Sequence, residues 1–308
     1  MDEINMGHSA IIAGQIFNGI SVASILLLTA LGLALSFGLM DVINMAHGEM
    51  LMVGGYLTYL TCRVVHGSAG YLLALLVSFA GSALLGALLE VTVIRWLYGR
   101  PLDTLLATWG VSLILQQGAR SLFGAIGVEV VAPHWLNGSV SLNHGFLAGL
   151  TLPYVRIFII LLTIAVLGLL VVFIARTRWG LYLRAVHQDR EMAQALGVNT
   201  KWIDLLVFSV GTGVAGLAGA ALALIAPVTP TVGQSYVVYA FLVVIVGGLG
   251  SLLGTALAAL FIGLISAGAQ MFISISLADV LLLILVIVFI QFRPRGIIFK
   301  RSRVMKEA

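Results

Sequence analysis

Charged residues are scarce in this sequence. Only 9% of its 308 residues are Asp, Glu, Lys or Arg, whereas 61% are hydrophobic; soluble domains average about 25% charged residues. Apolar stretches long enough to cross a bilayer recur along the chain. This composition excludes an ordinary soluble domain and predicts an all-α polytopic membrane protein with about 8–10 transmembrane helices.

Cysteines and early basic residues are also missing. The single cysteine, Cys62, cannot close a disulfide within the chain. No Lys or Arg precedes Arg63, and a cleavable signal peptide requires a basic N-terminal region, so we expect none. The phosphate-binding pattern G-x-x-x-x-G-K-S/T does not occur either. Any ATP hydrolysis linked to this chain must therefore take place on another subunit.

Apolar runs predict nine membrane crossings. The first run, residues 11–40, exceeds the roughly 20 residues that one upright span needs. We therefore expect it to divide near Asn18 and Gly19 into a short interfacial helix and a crossing. The second crossing is predicted from Asp41 to Leu60. The remaining seven are predicted near residues 71–97, 105–123, 154–175, 203–225, 236–249, 252–270 and 277–292.

Basic residues concentrate in loops on one side of the predicted membrane. Of the 16 Lys and Arg residues, five lie in the 176–201 loop, six at or after Arg293, and two at Arg95 and Arg100. Loops rich in Lys and Arg face the cytoplasm, so the chain's C-terminus is predicted to be cytoplasmic and its N-terminus external. The 124–153 loop is then external. Its VEVV and SVSL runs, on either side of an Asn-Gly turn, predict a short β-hairpin.

An internal repeat is predicted from the order of apolar and polar segments. A long apolar run, a polar interruption and a Gly-Gly pair occur at residues 20–55 and again at residues 203–248. The first copy starts outside and the second inside, so the repeats would be inverted, with interrupted helices meeting near the membrane midplane. The alternative is that the Gly-Gly pairs serve only close helix packing.

Polar residues occur within the apolar stretch DVINMAHGEMLMVGGY that begins at Asp41. Such groups are costly in lipid and usually line a pathway or pair across helices. Asp41, Asn44 and Gly48 share one face of an ideal helix, whereas His47 and Glu49 point to different sides. That spacing does not favour a metal site. Asn44, His47 and Glu49 are therefore predicted either to hold helices together or to contact a transported solute.

A second polar group lies in the second half of the chain. Gln234, Tyr236 and Tyr239 offer neutral donors and acceptors beside an apolar run that has no nearby Lys or Arg. This favours a small uncharged polar solute as the molecule that crosses the membrane. Helix N-termini can also bind an anion without a basic side chain, so an anionic group stays open.

The 176–201 loop contains a predicted short helix. Asp189 can cap its N-terminus, and Gly197 can end it. Met192 and Leu196, four residues apart, form an apolar edge. A helix of two turns is marginal alone in water, so we expect it to be stabilised either in the groove of a partner or on the membrane surface.

Two segments resemble the permease family of ATP-driven importers for branched-chain amino acids and urea. They are INMAHGE, at residues 43–49 and followed by GGY, and GLYLRAVHQDREMAQALGVNT in the 176–201 loop. The resemblance implies that the second segment docks on an ATPase, with Arg190 able to meet an acidic rim on that partner. The coupling residues that it implies are Arg184, Asp189, Arg190, Met192, Leu196 and Gly197. The whole chain, 1–308, would be one transmembrane permease domain with repeat one at 17–123, an external loop at 124–153, the coupling loop at 176–201, repeat two at 202–293 and a cytoplasmic tail at 294–308.

The same resemblance implies the rest of the transporter. A second homologous permease, two ATP-binding subunits and an external solute-binding protein would join this chain in the bacterial inner membrane. The chain itself would be a non-catalytic subunit without a cofactor or metal, and ATP and Mg would bind the partner ATPases. Alternating access driven by those ATPases would move the solute. The basic tail would contact membrane lipid, not nucleic acid.

Finer features of the resemblance indicate urea as the solute. INMAHGE in place of INFAHGE, the run VGQSYVVYAFLVVIVGGLG and the ending FIQFRPRG are similar to urea-type permeases. Tyr239 departs from that type, which has an acidic residue there, so a branched-chain amino acid or a short amide stays open. A stand-alone channel or secondary transporter would explain the buried polar residues but not the coupling segment. An intramembrane enzyme would need a convergent catalytic set, and His47 with Glu49 is too little.

Overall fold

The computed structural model of this chain is built almost entirely from helices. It describes residues 2–40, 42–142, 150–294 and 296–298, so Asp41, the tip of the 124–153 loop and most of the predicted tail lie outside the described residues. Two strands, β1 (Ser139–Leu142) and β2 (Leu150–Pro153), pair antiparallel. The helices are α1 (Asp2–Met40), α2 (His47–Val64), α3 (Ser68–Thr92), α4 (Pro101–Phe123), α5 (Tyr154–Arg176), α6 (Arg178–Gln188), α7 (Arg190–Ala195), α8 (Thr200–Leu222), α9 (Val232–Gly247), α10 (Leu252–Ala269) and α11 (Ile275–Phe292).

Six helices are long and apolar enough to cross a membrane: residues 12–38 of α1, and α3, α5, α8, α10 and α11. The apolar helix α9 is shorter, with 16 residues. The helices α2 and α4 are more polar, and α2 is largely covered by α3, α8 and α9, so much of its surface does not face lipid. These helices confirm an all-α polytopic membrane protein. Each of the nine predicted crossings corresponds to one helix of the described chain.

The first helix contradicts the predicted division near Asn18 and Gly19. α1 is continuous through both residues. Gly19 lets α1 approach α10, since a Cβ built there would lie 2.9 Å from Leu264 Cδ2. The amide oxygen of Asn18 accepts a hydrogen bond from Arg156 on α5. Both residues therefore serve contacts between helices, and neither interrupts the chain.

The second helix begins later than predicted, at His47. Residues 42–44 have no regular secondary structure, and Asn44 Oδ1 accepts a hydrogen bond from the backbone N–H of Ala46 at 3.0 Å. An Asn side chain that binds the backbone two residues later stabilises a turn. The predicted helical face shared by Asn44, Gly48 and the preceding aspartate is therefore wrong, because the chain is not yet helical at Asn44.

The predicted hairpin forms with a different partner strand. SVSL is β1, but it pairs with β2 so that Ser139 lies opposite Pro153, and VEVV takes no part in that pair. Val128, the first residue of VEVV, instead forms an isolated bridge with Val228, with N–H···O distances of 3.0 and 2.9 Å. The backbone groups of Val128 are thus satisfied by the segment that connects α8 to α9.

Helices from the two halves of the chain are interlocked. α1 packs against α8, α9 and α10, while α8 packs against α1, α2 and α3; α2 and α9 contact each other. Glycines permit the closest crossings. A Cβ at Gly32 on α1 would collide with the carbonyl oxygen of Gly211 on α8, and a Cβ at Gly48 on α2 would collide with that of Gly233 on α9. Backbones that approach this closely are typical of helix packing in membranes.

Candidate functional site

His47, the first residue of α2, is fully buried. Its Nε2 lies 3.0 Å from the carbonyl oxygen of Thr29 on α1. A carbonyl oxygen can only accept, so Nε2 carries the hydrogen, and in the neutral imidazole Nδ1 is left as an acceptor. Nδ1 has no hydrogen-bond partner among the described residues. His47 therefore links α2 to α1 and retains one unused acceptor.

Glu49, two residues further along α2, contacts a different helix. Its Oε1 accepts hydrogen bonds from Ser112 Oγ at 2.9 Å and Gln116 Nε2 at 2.8 Å, both on α4. Ser112 and Gln116 also bond to each other at 3.1 Å. Glu49 is 1% exposed, and its Oε2 has no partner in the described part of the chain. The prediction that His47 and Glu49 point to different sides is confirmed.

The turn before α2 is also held by α4. The backbone N–H of Met45 donates to Thr108 Oγ1 at 3.1 Å. Asn44 is fully buried, and its Nδ2 has no acceptor among the residues described. Asn44, His47 and Glu49 therefore present three polar atoms without a partner in the described part of the chain, in a buried region where α1, α2 and α4 meet.

The polar residues predicted in the second half do not join this cluster. Gln234 is exposed, and Tyr236 packs among apolar side chains. Tyr239 lies beside the carboxylate of Asp279 on α11. Near the two predicted groups, the backbone of Gly48 on α2 lies against that of Gly233 on α9. Cavities of about 250, 430 and 560 Å³ occur elsewhere in the structure, and none of these three is lined by the six predicted pathway residues.

The predicted coupling segment forms two helices. Most of its first half is α6, which the sequence analysis did not anticipate, and Arg184 on α6 donates to the carbonyl oxygen of Ile174 on α5. The second helix, α7, has the predicted cap: Asp189 Oδ1 accepts from the backbone N–H of Met192 at 2.9 Å. Gly197 follows α7 with a φ of 85°, a conformation that favours glycine. The predicted ends of this short helix are confirmed to within one residue.

The two faces of α7 differ in exposure. Ala193 is buried, whereas Met192 is 58% and Leu196 78% exposed. Arg190, expected to face a partner, is already paired within the chain: its guanidinium bonds to the carboxylate of Asp204 on α8. The apolar edge of α7 is therefore free on the described surface, and its one basic residue, Arg190, is engaged.

Comparison with known proteins identifies the family. Residues 15–290 match the family model described as branched-chain amino acid transport system / permease component. This chain belongs to that family. BraD of Pseudomonas aeruginosa, named a high-affinity branched-chain amino acid transport system permease protein, is 30% identical over 293 residues, which are 92% of this chain and 94% of that protein.

Further relatives of this permease carry similar names. LivH of Escherichia coli K12, also named a high-affinity branched-chain amino acid transport system permease protein, is 28% identical over 92% of the chain and 94% of its own length. A probable branched-chain amino acid transport permease protein LivH of Methanocaldococcus jannaschii is 27% identical over 84% of the chain and 80% of its length. No solved structure matches the chain. The names of these relatives contain no mention of urea.

Five polar residues that contact the predicted ones or their turn were not predicted from the sequence: Thr108, Ser112, Gln116, Asp204 and Asp279. Ser112 and Gln116 are four residues apart, a spacing that places two side chains on one helix face, and this signal could have been found. Asp204, which is buried, and Asp279, which is half-buried, are single acids in apolar runs, and an acid in such a run usually has a partner. Which helix each one contacts depends on the tertiary fold.

Proposed function

We propose that this chain is a membrane-spanning permease subunit of an ATP-binding cassette importer for branched-chain aliphatic amino acids. The family match over residues 15–290 carries this proposal. Relatives that align with more than nine-tenths of the chain are named for branched-chain amino acid transport. Urea, which the sequence details favoured, has no support from these comparisons, so leucine, isoleucine and valine become the first solutes to test.

Helix packing supports the inverted repeat. If α1, α2 and α3 are exchanged with α8, α9 and α10, three of the main contacts have counterparts: α1 with α10 becomes α8 with α3, α1 with α9 becomes α8 with α2, and α2 with α3 becomes α9 with α10. Five crossings precede α8, so the second set of helices would run opposite to the first. The clustered basic residues then favour a cytoplasmic C-terminus and a cytoplasmic segment from α6 to α7.

The start of α2 is proposed as the solute path at the interface of these repeats. The N-termini of α2 and α9 meet where Gly48 faces Gly233, so the partial positive ends of two helix dipoles lie close together. An α-carboxylate suits such a place. Asn44, His47 and Glu49 provide the neighbouring polar atoms, and Gln234, Tyr236 and Tyr239 remain candidates on α9.

The exposed edge of α7 is proposed to dock on an ATPase. The permease sequence lacks the G-x-x-x-x-G-K-S/T phosphate loop, so ATP and Mg would bind partner subunits, and this chain would be non-catalytic. An external solute-binding protein and a second permease would complete the importer. Met192 and Leu196 are the exposed apolar side chains that fit a groove on the ATPase.

The class of transporter is tested by reconstitution. The permease would be placed in lipid vesicles alone or with the ATP-binding and permease subunits that co-purify with it, and uptake of labelled leucine would be measured with the solute-binding protein outside. Leucine should enter only when the ATPase and ATP are both present. ATP-independent entry through the permease alone would instead identify a channel or secondary transporter.

A further inference from the structure

The short helix α7 is fastened to the membrane helices by one ion pair. Arg190 Nη1 lies 3.3 Å from Asp204 Oδ1, and Nη2 contacts Oδ2, which gives a two-pronged pair. The side chain of Asp204 is 2% exposed, whereas that of Arg190 is 39% exposed. A second hydrogen bond, from Gln194 Nε2 to Thr200 Oγ1 at 2.9 Å, joins the end of α7 to the start of α8. Both contacts lie on the side of α7 opposite its exposed apolar edge.

Arg190 also reaches the first half of the chain. Its Cζ lies 4.9 Å from the centroid of the Tyr98 ring, a cation–π arrangement. Tyr98 belongs to the turn between α3 and α4, and the same turn is held by the ion pair of Arg95 with Glu90 at 3.0 Å. Arg190 therefore joins three segments at one point: α7, α8 and the α3–α4 turn.

We propose that the Arg190–Asp204 pair, stacked on Tyr98, is the connection through which movement at α7 reaches the membrane helices of both halves. This rests on the proposed docking of an ATPase at α7. A helix of six residues is too short to be stable alone. When a partner displaces the exposed edge of α7, the contacts that hold its other side, above all Arg190 with Asp204, pass the displacement on to the membrane helices. Arg190 is a positioning residue here, because it acts through its contacts with Asp204 and Tyr98.

The decisive variant is Asp204→Asn in the complete transporter. The amide keeps the shape of the side chain but removes the charge that holds the guanidinium, and Arg190 is exposed enough to remain hydrated. The ATPase should stay bound and hydrolyse ATP, while leucine transported per ATP hydrolysed should fall by about tenfold, within the usual range of coupling between sites. Glu191→Gln is the matched control, because Glu191 is an exposed acid on the same helix that forms no ion pair or hydrogen bond among the described residues.

A second variant separates transmission from folding. Arg190→Lys keeps a cation beside both partners but loses the two-pronged geometry, so its transport-to-hydrolysis ratio should fall between those of the wild type and Asp204→Asn. An unchanged ratio in both variants would overturn the proposal. If Asp204→Asn does not assemble, Arg190→Lys decides alone: a reduced ratio with normal ATPase retention supports the proposal, and a normal ratio refutes it.

Failure of the docking proposal has a different signature. Leu196→Asp places a charge on the exposed edge and should release the ATPase from the permease altogether. If the ATPase stays bound to that variant, the docking surface lies elsewhere. If it is released while Asp204→Asn transports at the normal ratio, docking at α7 is supported and transmission through Arg190 is refuted.

Discussion

Replacing Glu49 is the sharpest test of the buried cluster on α2. The carboxylate Oε1 accepts from both Ser112 and Gln116. In Glu49→Leu the hydroxyl and one amide hydrogen of these residues lose their acceptor. An unsatisfied buried donor costs about 1–3 kcal/mol, so the permease should lose about 2–6 kcal/mol of stability. The loss should fall at the low end, because Ser112 can rotate toward a backbone carbonyl one turn earlier on α4.

Glu49→Gln separates charge from hydrogen bonding. The amide oxygen can accept the same two hydrogen bonds, so the permease should assemble with a melting temperature close to that of the wild type. The amide nitrogen takes the place of Oε2, which has no partner among the described residues, and an acceptor there becomes a donor. We therefore expect leucine uptake to change in this variant although the fold persists.

The assay combines thermal unfolding of the purified permease with uptake in vesicles. Glu129→Gln serves as the control, since Glu129 is an exposed acid in the segment after α4. Glu49→Leu should clearly lower the melting temperature of the permease. Glu49→Gln should mainly lower leucine uptake. Wild-type melting and wild-type uptake in both variants would refute the reasoning and show that Glu49 has no structural or transport role.

Three further predictions follow from the same structure. In a background without the native cysteine, cysteine at Ser139 should react with an impermeant reagent added outside intact cells and cysteine at Ser302 should not; equal labelling would overturn the orientation. Leu196→Asp should insert and fold but not retain the ATPase during purification, because an unpaired charge in an apolar groove costs several kcal/mol. Gly48→Ala should lower the melting temperature, since its Cβ would collide with an α9 carbonyl. Gly110→Ala on α4 is the control and should not lower it, because a Cβ there meets no neighbouring segment of the described chain within 4 Å. Equal melting of both variants would show that α2 and α9 are not in close contact.

Local signals in the sequence were sufficient to predict where α7 begins and ends. Asp189 accepts the predicted capping hydrogen bond and Gly197 ends the helix as predicted, with a positive φ, because both roles depend on residues only a few positions apart. Membrane crossings were predictable for a similar reason, since an apolar run is itself the requirement for burial in lipid. Most helix ends differ from the predictions by a few residues. The starts of α1 and α2 differ by more.

Contacts between distant residues were not predictable from spacing. Glu49 bonds to Gln116, 67 residues away, and Arg190 to Asp204 on a separate helix. The structural role of a glycine was also not predictable from the residues around it. Gly19 was expected to interrupt a helix, but it permits close packing against α10, and the choice between these roles is made by the neighbouring helix and not by the sequence around Gly19.

The identity of the solute is tested most directly by competition. Vesicles that contain the complete transporter would import labelled leucine in the presence of excess unlabelled valine, urea or acetamide, and uptake of labelled urea would be measured in parallel. In a permease for branched-chain amino acids, excess valine should reduce the uptake of labelled leucine, whereas excess urea or acetamide should not. Labelled urea should not be imported. ATP-driven import of labelled urea, with no import of leucine, would contradict the account.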